Sequence, residues 1–166
     1  MTDKYRPRPT PTGAAEAGQS PAHPDIVRIA RQFIEAIPFS NDVGMRLEQI
    51  GDGFAQISMP YSEKLVGDPA TGVIHGGAVS ALMDTCGGAA VMAHPDGAAA
   101  TATLDLRIDY MRAARPGQRI MATAECYHVA RSVAFMRAVA RDEEEGTPVA
   151  TATGAFTFER KGARAP

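Results

Sequence analysis

The pattern of hydrophobic and polar positions predicts, in chain order, a helix, two strands, a long helix and four strands. Apolar side chains recur at helical spacing over residues 25–37, and Pro38 ends that helix. Two short apolar runs, 45–50 and 54–59, flank a Gly-Asp-Gly turn and predict a β-hairpin. A loop over 61–74 that contains glycine and proline separates this hairpin from the long helix.

The longest helical pattern runs from Gly76 to about Ala93 and stops before Pro95. Its apolar stripe predicts the face that packs on the core and consists of Val79, Leu82, Met83, Cys86, Ala90 and Ala93. Asp84 lies roughly 150° around the helix from the centre of that stripe. Mostly small residues share its face, which predicts close approach by another element: Ser80, Gly87, Gly88 and Val91.

Four strand-like runs follow the long helix, at 102–112, 118–129, 132–142 and 148–159. In the first run, strict alternation predicts one face with Leu104, Leu106, Ile108 and Tyr110, and an opposite face with Thr103, Asp105, Arg107 and Asp109. Strands and helices do not alternate, so a Rossmann-like fold is disfavoured. The order predicts an α+β fold in which a meandering antiparallel sheet packs on one central helix.

The composition is that of one ordinary globular domain. The chain has 166 residues, of which 45% are apolar and 22% are charged. We expect the domain to span 25–160, between a disordered, proline-rich tail at 1–24 and a short tail at 161–166. The formal net charge of −2 argues against a nucleic-acid-binding protein, because such proteins usually carry a basic excess.

Cysteine content and hydropathy point to a cytoplasmic protein. Cys86 and Cys126 are too few for a disulfide framework or a zinc site, and we expect both to be buried thiols. No segment reaches the ~20 apolar residues of a membrane span. The N-terminal segment also lacks the apolar core of a signal peptide, so we expect no membrane partner.

Two glycines, Gly76 and Gly77, begin the long helix directly after His75. Glycine is a poor helix former, so its presence here needs a reason. One reason is a helix N-terminus whose free N–H groups face a ligand and stabilise negative charge on a carbonyl oxygen. The other is that glycine permits tight packing, and spacing alone leaves both open. Asp84, taken alone, is better explained by an ordinary solvated or capping role than by a catalytic one.

The segment 72–84 resembles PaaI-type hotdog thioesterases, whose pattern is His-Gly-Gly, six residues and then Asp. The segment 103–111 resembles the next strand of that family, and the likeness continues through 131–135. It covers roughly residues 40–159 in total. The resemblance implies a hotdog fold, in which an antiparallel sheet wraps around one long central helix, and hydrolysis of acyl-CoA or aryl-CoA thioesters.

The resemblance also implies a role for each matching residue. Asp84 would be the nucleophile or the general base for water, and the Gly76 N–H would polarise the thioester carbonyl. His75 would orient the thioester or its loop rather than act as a base, and Thr103 would help to place the water. Arg131 would lie near the CoA phosphates. No metal or cofactor takes part in this chemistry.

Three further residues are expected to contact the substrate, namely Gly77, Asp68 and Ser132. Many relatives have an Asn in the loop before His-Gly-Gly, where this chain has Asp68 and Pro69. An aspartate accepts hydrogen bonds but cannot donate them as an amide does. The polar role of that loop is therefore not carried over from the family.

Helix geometry adds a constraint of its own. Gly76 and Asp84 are eight residues apart in the sequence, which is about 12 Å along a helix. A carboxylate reaches back only ~3 Å toward the N-terminus, so the two groups of one chain cannot meet the same carbonyl carbon. A site that uses both takes them from two chains across a two-fold axis. This agrees with the hotdog homodimer that the resemblance implies, and we expect such dimers to pair into a homotetramer.

Two alternatives stand beside the thioesterase. A non-catalytic hotdog protein could bind acyl-CoA or acyl carrier protein with the same fold. A hotdog hydratase or dehydratase needs a different arrangement of His with Glu or Asp, which the sequence lacks. Asp68, His75 and Asp84 have no spacing that favours a metal site.

Overall fold

The protein is described by a computed structural model over residues 34–96, 98–143 and 146–160, and consists of a six-stranded antiparallel sheet packed on one long helix. The helices are α1 Pro38–Asp42 and α2 Gly76–Met92, with a 3-10 turn at Glu63–Leu65. The strands are β1 Arg46–Gly51, β2 Phe54–Met59, β3 Val66–Asp68, β4 Val73–Ile74, β5 Ala98–Ala100, β6 Thr103–Tyr110, β7 Ile120–Val129, β8 Val133–Arg141, β9 Ala150–Thr157 and β10 Glu159–Arg160. The main sheet has the order β1-β2-β7-β8-β9-β6, and β3–β4 and β5–β10 form two small antiparallel pairs.

The predicted hairpin, the long helix and the four later strands are confirmed, each within two residues at either end. Of the helix predicted at 25–37, only the end lies in the described part of the chain, and residues 34–36 are helical there. The predicted tails, 1–24 and 161–166, lie outside the described residues, so the domain boundaries stay predictions. The pattern missed α1 and the small pairs, because two- to five-residue elements are too short to show a period.

The inner face of the sheet is unusually rich in alanine, which lets α2 lie close to β2, β7 and β8. Eight buried alanines contribute to it: Ala55, Ala122, Ala124, Ala134, Ala138, Ala140, Ala150 and Ala152. From the helix, the fully buried side chains of Leu82, Met83 and Cys86 pack into the core. Small residues on the sheet and larger ones on the helix thus fill the core together.

The predicted division of the α2 surface is partly wrong. Gly87 and Val91 were placed on the face of Asp84, but both are buried in the core. A Cβ at Gly87 would overlap the Met136 methyl group and lie 3.2 Å from Phe156 Cζ. Side chains from β8 and β9 therefore cover this side of the helix, and the small residue accommodates the chain's own sheet.

A bulge near the start of β6 changes which of its residues face α2. The register with β9 shifts between Thr103 and Asp105. Alternation placed Thr103 on the face opposite Tyr110, and this prediction is wrong. Both side chains contact α2, where Thr103 meets Asp84 and Tyr110 meets Ser80. A bulge adds one residue to one strand and so brings residues an odd number of steps apart onto one face.

Both cysteines are free and buried, as predicted. Burial raises the pKa of the Cys86 thiol to about 12, and burial also raises the pKa of Cys126. In the described ranges, no helix is long and apolar enough to cross a membrane.

A buried ion pair ties the loop after β6 to the end of β8. Arg112 Nη1 and Nη2 each donate to one Asp142 carboxylate oxygen, both at 2.6 Å. The Asp142 side chain is fully buried, and it also accepts the Arg115 N–H at 3.0 Å. The carboxylate of Asp142 thus forms two parallel hydrogen bonds with the arginine, which is a strong and directional pairing.

Replacing Asp142 with Asn should lower the free energy of unfolding by about 3 kcal/mol, because it leaves the Arg112 charge half-buried without its counter-ion. Urea denaturation measures the change. Glu143→Gln is the matched control, since Glu143 is exposed and pairs with exposed Arg119, a contact worth about 0.5 kcal/mol at most. Equal losses in the two variants would contradict a special role for the buried pair.

Candidate active site

His75 caps the N-terminus of α2 with its own side chain. Its Nδ1 accepts the Gly77 N–H at 2.9 Å, and its backbone N–H donates to the Leu65 carbonyl at 2.8 Å. A Cβ at Gly77 would lie 2.9 Å from that Nδ1, and a Cβ at Gly67 would lie 2.7 Å from the His75 Cα. Glycine at both positions therefore permits the close packing that holds the imidazole against the first turn.

Gly76 is the first residue of α2, and its N–H points out of the helix. Among the described residues, no acceptor is bonded to this N–H. The first N–H groups of a helix have no intrahelical partner and carry partial positive charge. Tight packing and an open N–H, the two explanations for the glycines, thus occur together at this helix start.

Asp84 is half-buried two turns further along α2 and is held by β6. Its Oδ1 accepts the Thr103 hydroxyl at 2.7 Å. In the part of the chain that the structure describes, its Oδ2 has no hydrogen-bond partner. The sequence did not predict this bond, because the resemblance implied only that Thr103 helps to place the water. One oxygen of the carboxylate is fixed, and the other is available to water or substrate.

Tyr110 and Ser80 form a hydroxyl network at the first turn of α2 that the sequence did not predict. Tyr110 donates to the Gly76 carbonyl at 2.7 Å, and its hydroxyl lies 2.7 Å from Ser80 Oγ. Ser80 Oγ in turn lies 3.2 Å from the same carbonyl. A Cβ at Gly76 would lie 3.4 Å from the Tyr110 ring. The signal was hidden because the β6 bulge is invisible in the alternation.

Asp68 holds its own loop. Its Oδ1 accepts the Ala70 N–H at 3.0 Å and its Oδ2 accepts the Thr71 hydroxyl at 2.6 Å. These bonds, the Thr71 bond first, lower the pKa of Asp68. The carboxylate is therefore an acceptor whose two oxygens already have donors, and a contact of Asp68 with substrate stays a prediction.

Arg131 and Ser132 form the turn between β7 and β8, and both side chains are exposed. Within the described ranges Arg131 has no ion-pair partner. Sheet register relates this turn to the site: Thr103 pairs with Phe156, and Phe156 pairs with Ala134. Two interstrand spacings correspond to roughly 10 Å, so the turn lies at the end of the sheet that carries Thr103.

Two apolar cavities adjoin the first turn of α2. The Tyr110 cavity, about 290 Å³, is lined by Val73, Ile74, Gly76, Val79, Tyr110, Met111, Arg112, Ala113, Ala114 and Val149. The Phe39 cavity, about 300 Å³, is lined by Phe39, Val43, Lys64, Leu65, Val66, His75, Gly77, Ala78 and Ala81. Each is lined mostly by apolar groups, which is typical of sites for small organic ligands.

The site groups of one chain form two clusters. His75, Gly76 and Gly77 lie at the start of α2, whereas Asp84 and Thr103 lie about 12 Å along the helix axis. Over the described residues, no group of three potential ligands, Asp68 included, converges on a point where a metal ion could bind.

Comparison with known proteins identifies the family. The sequence profile of the thioesterase superfamily matches residues 71–149. A crystal structure of a Pseudomonas aeruginosa protein, 36% identical, has a TM-score of 0.71 and covers 81% of this chain and 99% of its own. The chain belongs to the thioesterase superfamily.

Two further relatives refine this placement. The medium/long-chain acyl-CoA thioesterase YigI of Escherichia coli is 28% identical over 141 residues, which are 77% of this chain and 90% of YigI. The Escherichia coli PaaI protein of the phenylacetic acid degradation operon has a TM-score of 0.70 at 20% identity, over 80% of this chain and 91% of its own, and shows the fold. The predicted hotdog fold and the predicted thioesterase class are both confirmed.

In this thioesterase, four of the predicted site residues form two hydrogen-bonded pairs. Asp84 is bonded to Thr103, and His75 is bonded to Gly77. The roles that the resemblance implies for them are chemical and stay predictions. Tyr110 is a site residue that only the structure revealed. It contacts the first turn of α2 and lines the Tyr110 cavity.

Proposed function

We propose that this thioesterase hydrolyses acyl-CoA or aryl-CoA thioesters to the free acid and CoA. The observation that supports the proposal most is the pair of clusters on α2. An oriented carboxylate, Asp84 held by Thr103, lies on the same helix as the Gly76 N–H, which has no acceptor among the described residues. Thioester hydrolysis needs one group that acts on water or on the carbonyl carbon, and one that stabilises the oxyanion.

In the proposed reaction, Asp84 either removes a proton from water or attacks the carbonyl carbon itself. The carbonyl oxygen gains negative charge and accepts the Gly76 N–H, with the partial charge of the helix N-terminus behind it. The carbon–sulfur bond then breaks, and the CoA thiolate leaves and takes up a proton. If Asp84 attacked directly, water hydrolyses the resulting anhydride. Thr103 keeps the carboxylate oriented throughout.

Each site is proposed to combine two chains, because 12 Å separates the two clusters within one chain. β6 offers the contact for a second copy. It lies at the edge of the described sheet, and large apolar side chains around it are exposed: Leu104 58%, Tyr110 50% and Met111 49%. An exposed apolar edge strand pairs readily with another strand. We propose a two-fold homodimer through β6 that sets Gly76 of one chain against Asp84 of the other, and keep the homotetramer as a prediction.

The acyl group is proposed to occupy the Phe39 cavity. Two of its helical residues, Gly77 and Ala81, lie within about 60° of Asp84 around the α2 axis, at about 100° per residue. This cavity also includes His75, the cap of the helix. The Tyr110 cavity lies on another side of the helix. An acyl chain in the Phe39 cavity would therefore keep its thioester on the face where a second chain presents Asp84.

The CoA phosphates are proposed to bind Arg131. This guanidinium is exposed, has no partner among the described residues, and lies at the end of the sheet that carries Thr103. Arginine is well suited to phosphate because its planar fork donates two parallel hydrogen bonds. Ser132, its neighbour in the same turn, has an exposed hydroxyl that can add a further bond.

Asp84→Asn should lower kcat at least ~100-fold with little change in KM, because it removes transition-state chemistry but keeps shape and hydrogen bonding. Thr103→Ala should lower kcat only about 10-fold, since water can replace the hydroxyl, and Thr103→Ser should restore most of the loss. Free thiol released from a panel of acyl-CoAs gives both constants. Binding of acyl-CoA without hydrolysis by the wild-type protein would refute the function, and near-normal turnover by Asp84→Asn would refute the mechanism.

Val43→Phe should shift the substrate preference toward shorter acyl chains, because the larger ring fills part of the Phe39 cavity. The same substitution in the other cavity, Ala113→Phe, is the matched control and should leave the chain-length profile unchanged. The measurement is kcat/KM across a series of saturated acyl-CoAs. A shift caused by Ala113→Phe but not by Val43→Phe would mean that the acyl group binds in the Tyr110 cavity.

A further inference from the structure

The first turn of α2 contains a peptide unit that is hydrogen-bonded at both ends. The carbonyl of Gly76 accepts the Tyr110 hydroxyl at 2.7 Å, and Ser80 Oγ lies 3.2 Å from it. The N–H of the same peptide unit belongs to Gly77 and donates to His75 Nδ1 at 2.9 Å. Tyr110 on β6 is thus connected to the imidazole through a single peptide group.

Counting protons shows that the Gly76 carbonyl always receives a hydroxyl hydrogen. The two hydroxyls, Tyr110 and Ser80, are 2.7 Å apart and either can donate to the other. If Ser80 donates to Tyr110, then Tyr110 donates to the carbonyl. If Tyr110 donates to Ser80, then Ser80 donates to the carbonyl. In both arrangements the peptide is polarised, which strengthens the Gly77 N–H as a donor, and the 2.7 Å bond from Tyr110 does so more than the 3.2 Å contact of Ser80.

The bond to Gly77 decides where the neutral imidazole keeps its proton. A nitrogen that accepts a backbone N–H has no hydrogen of its own, so the His75 proton is on Nε2. His75 in this tautomer is a hydrogen-bond donor at Nε2. It lines the Phe39 cavity, beside Gly77 and Ala78. Asp68, the nearby polar residue of the preceding loop, cannot supply such a donor because its carboxylate only accepts.

We propose that Tyr110, with Ser80, is a positioning residue of this thioesterase: it polarises the Gly76–Gly77 peptide and thereby keeps His75 as an Nε2–H donor toward the thioester. The expected effect on catalysis rests on the proposed function, whereas the expected effect on the His75 tautomer does not. The geometry gives Tyr110 this role twice over. Its hydroxyl donates to the peptide carbonyl, and its ring lies 3.4 Å from the position that a Cβ at Gly76 would take.

The test is Tyr110→Phe, which keeps the ring and removes only the hydroxyl. Long-range ¹H–¹⁵N spectra of the full chain, with His75 assigned by its loss in His75→Gln, report the tautomer. In the wild type we expect the proton on Nε2 alone, and in Tyr110→Phe a measurable population with the proton on Nδ1. For acyl-CoA hydrolysis we expect kcat to fall about 5-fold with KM within about 2-fold, the effect of one lost hydrogen bond. Ser80→Ala should give a smaller loss, because Tyr110 still donates directly.

Tyr127→Phe is the matched control, since Tyr127 is an exposed tyrosine on β7 whose ring lies 5.9 Å from the Arg137 guanidinium. It should change neither the His75 spectrum nor kcat. An unchanged His75 tautomer in Tyr110→Phe would overturn the proposal, and so would an unchanged kcat or an equal loss in Tyr127→Phe. If the wild-type protein hydrolysed no thioester, the proposed function would fail, yet the spectra would still decide whether Tyr110 sets the tautomer.

Discussion

A single rigid helix sets the distance on which this site depends. α2 places the Gly76 N–H and the Asp84 carboxylate about 12 Å apart along its axis. No rotation of the Asp84 side chain brings both groups within bonding distance of one thioester carbonyl. An α-helix does not bend enough over two turns to bring them together. If both act on one thioester, they belong to different chains, and each chain then contributes one half to each of two equivalent sites. On this account, catalysis requires the dimer to assemble.

Strand β6 connects the two halves within one chain. Thr103 at its start orients Asp84, and Tyr110 at its end bonds the first turn of α2. The bulge after Thr103 makes this possible, because without it the two side chains would point to opposite faces. Within the described part of the chain, no strand pairs with the outer edge of β6, and its exposed apolar side chains suit a contact with a second copy. One strand would thus support the carboxylate, the helix start and the dimer.

Much of this could be predicted from the sequence, because long elements have clear periods. The α2 stripe and the β7–β9 meander followed from periodicity, whereas the position of β6 beside β9 rather than β7 and the bond of Thr103 to Asp84 came from the structure. The predictions that were wrong concern features on which the periodicity of apolar residues carries no information. A one-residue bulge reverses the face of β6 to which Thr103 belongs. Gly87 was placed on the face of Asp84 from its helical angle alone, although Met136 and Phe156 cover it. The pairing of Asp142 with Arg112 could not be predicted from periodicity, because the two residues lie thirty positions apart in the chain.

Complementation between two inactive variants tests the shared site most directly. His75→Ala and Asp84→Asn should each be nearly inactive as homodimers. In a mixed dimer, one site receives both defects and the other receives neither. Random pairing makes about half of the dimers mixed, so co-refolding should restore about 25% of wild-type activity. Subunit exchange is confirmed separately, for example by native mass spectrometry of the mixture. If exchange is complete and no activity returns, the His75–Gly76 cluster and Asp84 act within one chain, and the account of a site between two chains is wrong.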